Sequence, residues 1–276
     1  MKWFLSPITP LAFRPAESDP NATELRFTQR FGRYDHIVVQ AAADEQRNPS
    51  VWVYNAINGS FVLTQYGTRV SLGGGRWMYT IVLPVMAEGF YYAILSGGGK
   101  NVRSQDFEIT RLVENDPEWA RIEYGGTRND TPMNAMFVVN GARVPFLLRL
   151  PAGFKPQGWS GSVEAETYRT QRQELRVLYS ATYEKWNLTI GTAAGIPVEY
   201  LQMLNNILSC EYVYINGVRW CRSEGSVPEK QLALAGSQMF TASVTLERQQ
   251  SLDNYPLEVY QNGDEYNNDY NNDYDI

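Results

Sequence analysis

The chain has 276 residues, 43% apolar, 20% charged and 13% aromatic, with 18 Tyr, 22 Gly and 14 Pro, a mix that supplies a core and favours strands over helices. One histidine and two cysteines exclude a multi-histidine metal centre, a four-cysteine zinc site and a disulfide-dense scaffold, and no motif calls for a cofactor. The net charge of −6 conceals 24 basic against 23 acidic residues before residue 251, so the body offers no basic surface for a nucleic acid.

Residues 1–22 interleave Pro7, Pro10, Pro15 and Pro20 with Trp3, Phe4, Ile8, Leu11 and Phe13. Proline at this density prevents helix and gives an extended arm. Burying each large apolar side chain is worth about 1.5–3 kcal/mol, so the arm folds onto its own domain or docks on a neighbouring subunit. The prolines also break the opening apolar run, which therefore does not read as a secretory signal, and no window is apolar enough to span a membrane. The expectation is a protein that stays in the compartment where it is made.

From residue 23 to 112 the chain reads as β. Short aromatic or β-branched runs occur at 35–40, 50–54, 60–64, 76–83, 89–95 and 104–109, separated by turn clusters such as Asn58-Gly59 and the triple glycines at 73–75 and 97–99. Such spacing predicts a β-sandwich. Glu114-Asn-Asp-Pro-Glu-Trp119 is a polar break and the expected domain boundary. Beyond it, strands are predicted at 134–139 and 142–149 around an Asn140-Gly141 turn, and at 174–179 and 186–190. Residues 197–209 carry Pro197 at a helix start and Leu201, Leu204, Ile207 and Leu208 on one stripe, an amphipathic helix packed on a sheet. A two-residue hairpin follows around Asn216-Gly217, whose type I′ turn needs positive φ at both positions. A strand at 239–247 closes the domain at 113–250.

Residues 251–276 contain seven acids, five tyrosines, six asparagines and no base, with Asn-Asn-Asp-Tyr repeated at 267–270 and 271–274. A segment this polar cannot offset its ordering entropy alone, so a partner surface would have to hold it by tyrosine stacking and acid pairing.

Searching for chemistry gives little. His36 lies between Asp35 and Ile37 on a predicted strand without a nucleophile signal beside it. Asp106 with Glu108, and Glu164 with Glu166, share strand faces, but a glycosidase needs two carboxylates facing across a cleft. Cys210 and Cys221 flank the hairpin and read as free thiols in a chain without an export signal. The triple glycines lack the Lys-Ser/Thr pair of a phosphate loop. Trp52, Trp77 and Tyr79 could stack on sugar rings, although period 2 puts Trp77 and Tyr79 on one face as a core would.

The second half carries Arg149-Leu-Pro-Ala-Gly-Phe-Lys-Pro-Gln-Gly-Trp159, Glu166-Thr-Tyr-Arg-Thr-Gln-Arg-Gln-Glu174, Leu188-Thr-Ile-Gly-Thr-Ala-Ala-Gly-Ile-Pro197 and Arg222-Ser-Glu-Gly-Ser-Val-Pro-Glu229. These stretches resemble uncharacterised structural proteins of the tail modules of tailed phages and prophages of gut bacteria, over roughly residues 5–250. The resemblance implies a virion component of the tail or its baseplate end, and brings no catalytic site.

The expectation is thus a mainly β chain of two β-sandwich-like domains, the second with one packed helix, flanked by an arm and an acidic tail. Its expected function is a non-enzymatic virion subunit forming a ring with copies of itself and other tail proteins. Trp3, Phe4, Ile8, Leu11, Phe13, Tyr266, Tyr270 and Tyr274 are the expected assembly contacts, and deleting residues 1–15 or 251–276 should leave the body folded. The alternatives are a glycan-binding module for host attachment, using Trp52, Trp77 and Tyr79, and a carboxylate-dependent glycoside hydrolase.

Overall fold

The computed structural model describes residues 3–15, 27–43, 49–97, 100–129, 135–144, 146–191, 195–232 and 239–249, and the chain is mainly β with one α-helix among them. The first half supplies β1 (Trp3–Leu5), β2 (Phe13–Pro15), β3 (Gln29–Phe31), β4 (Ile37–Ala43), β5 (Ser50–Asn55), β6 (Phe61–Tyr66), β7 (Thr68–Gly73), β8 (Arg76–Leu83), β9 (Gly89–Gly97), β10 (Lys100–Ser104) and β11 (Phe107–Ile109). One sheet runs β1-β4-β8-β7; the other runs β2-β10-β9-β11-β3, with β5 also on β9 and β6 on β5. Alternate residues of the two sheets, among them Val39, Ile81, Val53 and Ala93, meet in a shared core.

The second half supplies β12 (Trp119–Gly125), β13 (Val138–Val139), β14 (Ala142–Arg143), β15 (Phe146–Arg169), β16 (Leu175–Ile190), β17 (Ile196–Pro197), α1 (Val198–Ile207), β18 (Tyr212–Ile215), β19 (Val218–Arg222), β20 (Glu229–Leu232) and β21 (Met239–Arg248). Its sheet closes on itself. β12 pairs with β15, β15 with β16, β16 with β21, β21 with β19, β19 with β18, and β18 with β12, every pair antiparallel. Ile122, Leu148, Ile190, Val213 and Val244 fill the barrel, and α1 packs Tyr200, Leu201, Leu204 and Ile207 against them. At the β18–β19 turn Asn216 and Gly217 take φ of 51° and 79°, as a type I′ turn requires.

The two halves share an interface built on β4, which is buried along its whole length. Its odd residues face the sandwich core, while Val38 joins the barrel's cluster and Ala42 packs with Met78 and Met136. Between them Gln40 pairs with a backbone: its Nε2 donates to the Met136 carbonyl at 2.7 Å and its Oε1 accepts from the Met136 N–H at 2.9 Å. Nearby, Arg149 Nε and Nη2 donate to Asp35 at 2.5 and 3.1 Å, and Nη1 donates to the Val113 carbonyl at 3.0 Å. Both side chains are about 95% buried, with exposures of 6% and 5%. Gly32 donates its N–H to the same carboxylate at 2.7 Å, and a Cβ there would lie 3.2 Å from the arginine.

The N-terminal arm belongs to this body. β1 pairs with β4 and β2 with β10, the Tyr124 hydroxyl donates to the Ile8 carbonyl at 2.5 Å, and Ile8 and Leu11 are buried in the two cores. Ile8 and Leu11 are therefore core residues where the sequence suggested assembly contacts. Burying them inside the chain gains the same apolar free energy without a second copy. Phe13 is half-buried and Phe4 remains exposed; the Trp3 side chain and Tyr266, Tyr270 and Tyr274 lie outside the described residues.

Two substitutions test this body by urea denaturation. Asp35→Ala leaves Arg149 buried and unpaired and should cost about 3–5 kcal/mol. Ile8→Ala should cost about 2–5 kcal/mol, whereas an arm merely resting on the surface would change stability by a few tenths.

Candidate functional site

The largest departure from a closed body is the hairpin of β15 and β16. β12 pairs with β15 only up to Pro151, and β21 pairs with β16 only from Lys185 onward. Beyond those limits, residues 161–169 and 175–184 pair only with each other among the described residues. The result is a two-stranded ribbon projecting about 35 Å at the usual strand rise. Thr170 and Glu174 close its tip through a backbone hydrogen bond of 2.9 Å, with Gln173 at a φ of 65°.

The side-chain pattern of the ribbon continues the barrel interior. Directly paired residues in an antiparallel ladder share a face. Phe154 opposite Leu188, and Trp186 opposite Leu246, both pack on the barrel core. Trp159 is opposite Trp186, and alternation then places Gly161, Val163, Ala165 and Thr167 on the same face, with Glu184, Thr182 and Ser180 across from the first three and Val177 and Leu175 across from Thr167 and Arg169. A bulge between Glu166 and Thr167 makes Leu178 the extra residue. The opposite face carries Tyr168, Tyr179, Glu164, Glu166 and Arg176. Trp159, Val163, Tyr168, Leu175, Val177, Leu178 and Tyr179 are 43–61% exposed. A face of exposed apolar side chains interspersed with Glu184, Thr182 and Ser180 thus leaves the barrel, and no sheet covers it among the described residues.

The residues singled out from sequence are dispersed. Tyr79 is fully buried and offers no face to a sugar. Trp77 is half-buried under the Arg69 guanidinium, 5.4 Å from the ring centre. Trp52 lies in the other sheet, on an outer face with residues that sequence reading had passed over. There Tyr54 stacks on Tyr92 at 5.3 Å and meets Phe61 edge-on at 5.8 Å, and Arg103 sits 3.9 Å over Tyr92. Asp106 pairs with Arg103 at 3.0 Å and Glu108 with Arg30 at 2.9 Å, so each carboxylate has its own cation. Glu164 and Glu166 lie on the exposed ribbon, and Cys210 and Cys221 are not joined by a disulfide.

His36 is exposed at the rim of a cleft of about 270 Å³ between the two halves, shared with Tyr34, Arg121, Arg143, Tyr212 and Tyr214. Tyr124 lies at its floor, buried, which raises its phenol pKa well above the ordinary 10.0, with the Cys210 thiol adding to the rise. Glu211, at the edge of this region, is held below the usual carboxylate range by the Thr127 backbone N–H and hydroxyl at 2.6–2.8 Å.

No family model matches this sequence, and no curated protein does. Among solved structures it is similar to the uncharacterised protein lmo2446 of Listeria monocytogenes EGD-e. The form crystallised with α-D-glucose, β-D-glucose, magnesium and calcium has 11% identity and a TM-score of 0.25, covering 90% of this chain and 30% of that one. A second crystal structure of that protein gives 10% identity, a TM-score of 0.23, and 79% and 28% coverage. The complex of Dpr2 Ig1-Ig2 with DIP-Theta Ig1-Ig3 gives 8%, 0.17, and 88% and 92%. Likeness at this level carries neither fold nor function across.

The buried Tyr124 phenol gives a pH test. The folded chain keeps a proton that the unfolded chain releases above about pH 10, so this stability is whole below that pH and is lost as pH rises, at up to about 1.4 kcal/mol per pH unit. Thermal melts between neutral and alkaline pH should fall more steeply for the wild type than for Tyr124→Phe, which loses the bond to Ile8 at every pH. Parallel curves would contradict the assignment.

Proposed function

We propose that the chain is a structural subunit without catalytic function that joins copies of itself through the β15–β16 ribbon, forming a ring with other proteins in the tail of a phage virion. The observation that supports this most is the projecting ribbon itself, which exposes Trp159, Val163, Leu175, Val177 and Leu178 and has both edges unpaired among the described residues. A lone two-stranded hairpin is marginal in water, and long uncovered edges invite another strand. The two edges belong to different strands, so the β15 edge of one copy can meet the β16 edge of the next. Such a head-to-tail contact repeats and closes by rotation. The virion setting rests on the sequence resemblance. A glycan-binding role is favoured by one observation, the outer aromatic face around Trp52, Tyr54 and Tyr92.

Replacing residues 161–184 with Asn-Gly joins Ser160 to Lys185, already opposite one another, and leaves the barrel intact. Multi-angle light scattering should show the full chain as an oligomer and this variant as a monomer with an unchanged melting temperature. Val163→Lys and Val177→Lys should each weaken association about tenfold or more, as the loss of a buried apolar side chain implies. A full-length chain that remains monomeric would sink the proposal. Calorimetry with wall and capsular polysaccharides decides the second reading: binding by the wild type that Trp52→Ala abolishes would favour it.

A further inference from the structure

The cleft between the two halves gathers aromatic and charged groups that the fold does not use for its own packing. On its barrel side Glu123 lies between Leu147 of β15 and Tyr214 of β18, and Gly125 lies opposite Tyr212 two residues further along. A Cβ at Gly125 would stand 2.5 Å from the Tyr212 hydroxyl, so the ring lies over bare backbone where a side chain would otherwise be. The Tyr212 and Tyr214 rings are 5.9 Å apart and tilted by 59°, which makes them an angled wall. Exposed Tyr34 and His36 face this wall from the sandwich side.

The charged groups are only partly committed. Arg121 Nη1 donates to Glu123 Oε1, and both side chains are 41% exposed. Arg121 Nε lies 3.8 Å from Asp35, whose charge Arg149 already meets. Arg121 Nη2 and Glu123 Oε2 make no hydrogen bond among the described residues. Arg143 is exposed and has no ion pair among the described residues, and its field reaches Tyr212 and Glu211. Glu211, at the edge, is taken up by the Thr127 N–H and hydroxyl. The lining thus offers two guanidinium groups, one half-used carboxylate and the faces of two phenol rings.

We propose that this cleft binds a pyranose bearing a carboxylate, a hexuronic acid unit. Its volume of about 270 Å³ equals about nine waters at ~30 Å³ each, room for one ring and its substituents. The apolar C–H face of the sugar leaves water against the Tyr212 and Tyr214 rings, and its carboxylate takes charge-assisted hydrogen bonds from Arg143 and Arg121. Its hydroxyls donate to Glu123, which a flat aromatic acid would strip of water and leave unpaired. A phosphate would bring a second negative charge beside that same carboxylate. The site depends neither on the ribbon nor on the outer face around Trp52, and each of these readings can fail alone.

The test is calorimetric titration of the full-length protein with sodium D-glucuronate, D-glucose and sodium benzoate. Glucuronate should bind saturably at millimolar concentration or below, and the other two about tenfold or more weaker. Arg143→Gln and Tyr214→Ala should each weaken glucuronate about tenfold, as the loss of one hydrogen bond to a charged group or one stacking face implies. Arg143 is exposed, so its variant should keep the wild-type melting temperature even where Tyr214→Ala does not. Methyl glucuronoside, with its anomeric oxygen blocked as in a polymer, separates the sources. Binding equal to that of the free acid assigns the unit to a glycan chain, and binding of the free acid alone assigns it to a soluble sugar acid. No saturable binding of glucuronate, equal binding of glucose or benzoate, or affinity unchanged in Arg143→Gln would overturn the proposal. So would binding that Trp52→Ala abolishes, which would place the sugar on the other sheet.

Discussion

A strand is covered inside a sheet only as far as its neighbours run, and this constraint shapes the molecule. β15 has 24 residues and β16 has 16, while β12 has seven, β18 four and β19 five. The barrel therefore closes around the lower part of the long hairpin and can close around no more. Above Trp186 the inward face still carries Val163, Ala165, Val177 and Leu175, interspersed with Glu184, Thr182 and Ser180. Apolar side chains at alternating positions on a two-sided ribbon make sense when another polypeptide completes the sheet.

The ribbon can serve such a purpose because its base is fixed. An interface made only of alanine, valine and methionine could shift by small steps at little cost. Gln40 and the Asp35–Arg149 pair remove that freedom. Moving one half against the other strands the Gln40 amide from Met136 and the arginine from its carboxylate, and unsatisfied buried groups of that kind each cost about 1–3 kcal/mol or more. Tyr124, bonded to Ile8, ties the arm into the same joint. The sandwich, arm and barrel accordingly form one platform, with the ribbon on one part and the arginine–tyrosine cleft on another.

Much of this architecture was legible in the residues. The Asn-Gly pairs at 140–141 and 216–217 marked both turns because few other dipeptides adopt positive φ twice. The stripe of Leu201, Leu204 and Ile207 located α1 within two residues. Period 2 correctly placed Trp77 with Tyr79, yet alternation groups residues by face without saying which face is inside, and here Tyr79 went to the core. Of the ribbon, the strand at 174–179 was legible, but its partner 159–169 escaped notice because Gly158, Ser160, Gly161 and Ser162 weaken the β signal and Glu164 and Glu166 give a loop-like charge. β12 was hidden by the polar break assigned at its first residue, although Ala120, Ile122 and Tyr124 alternate inward. The face shared by Trp52, Tyr54 and Tyr92 depends on β5 lying beside β9, a neighbourhood that one sequence does not reveal.

The account rests on the free edges of residues 159–169 and 175–184 being completed by another copy of the chain. Amide exchange across these residues, followed in the full-length protein over a dilution series, examines that directly. Outward-facing amides should be protected at high concentration and lose protection together as the protein is diluted, because their acceptors belong to a neighbour. Rapid exchange at every concentration, or protection indifferent to dilution, would contradict it.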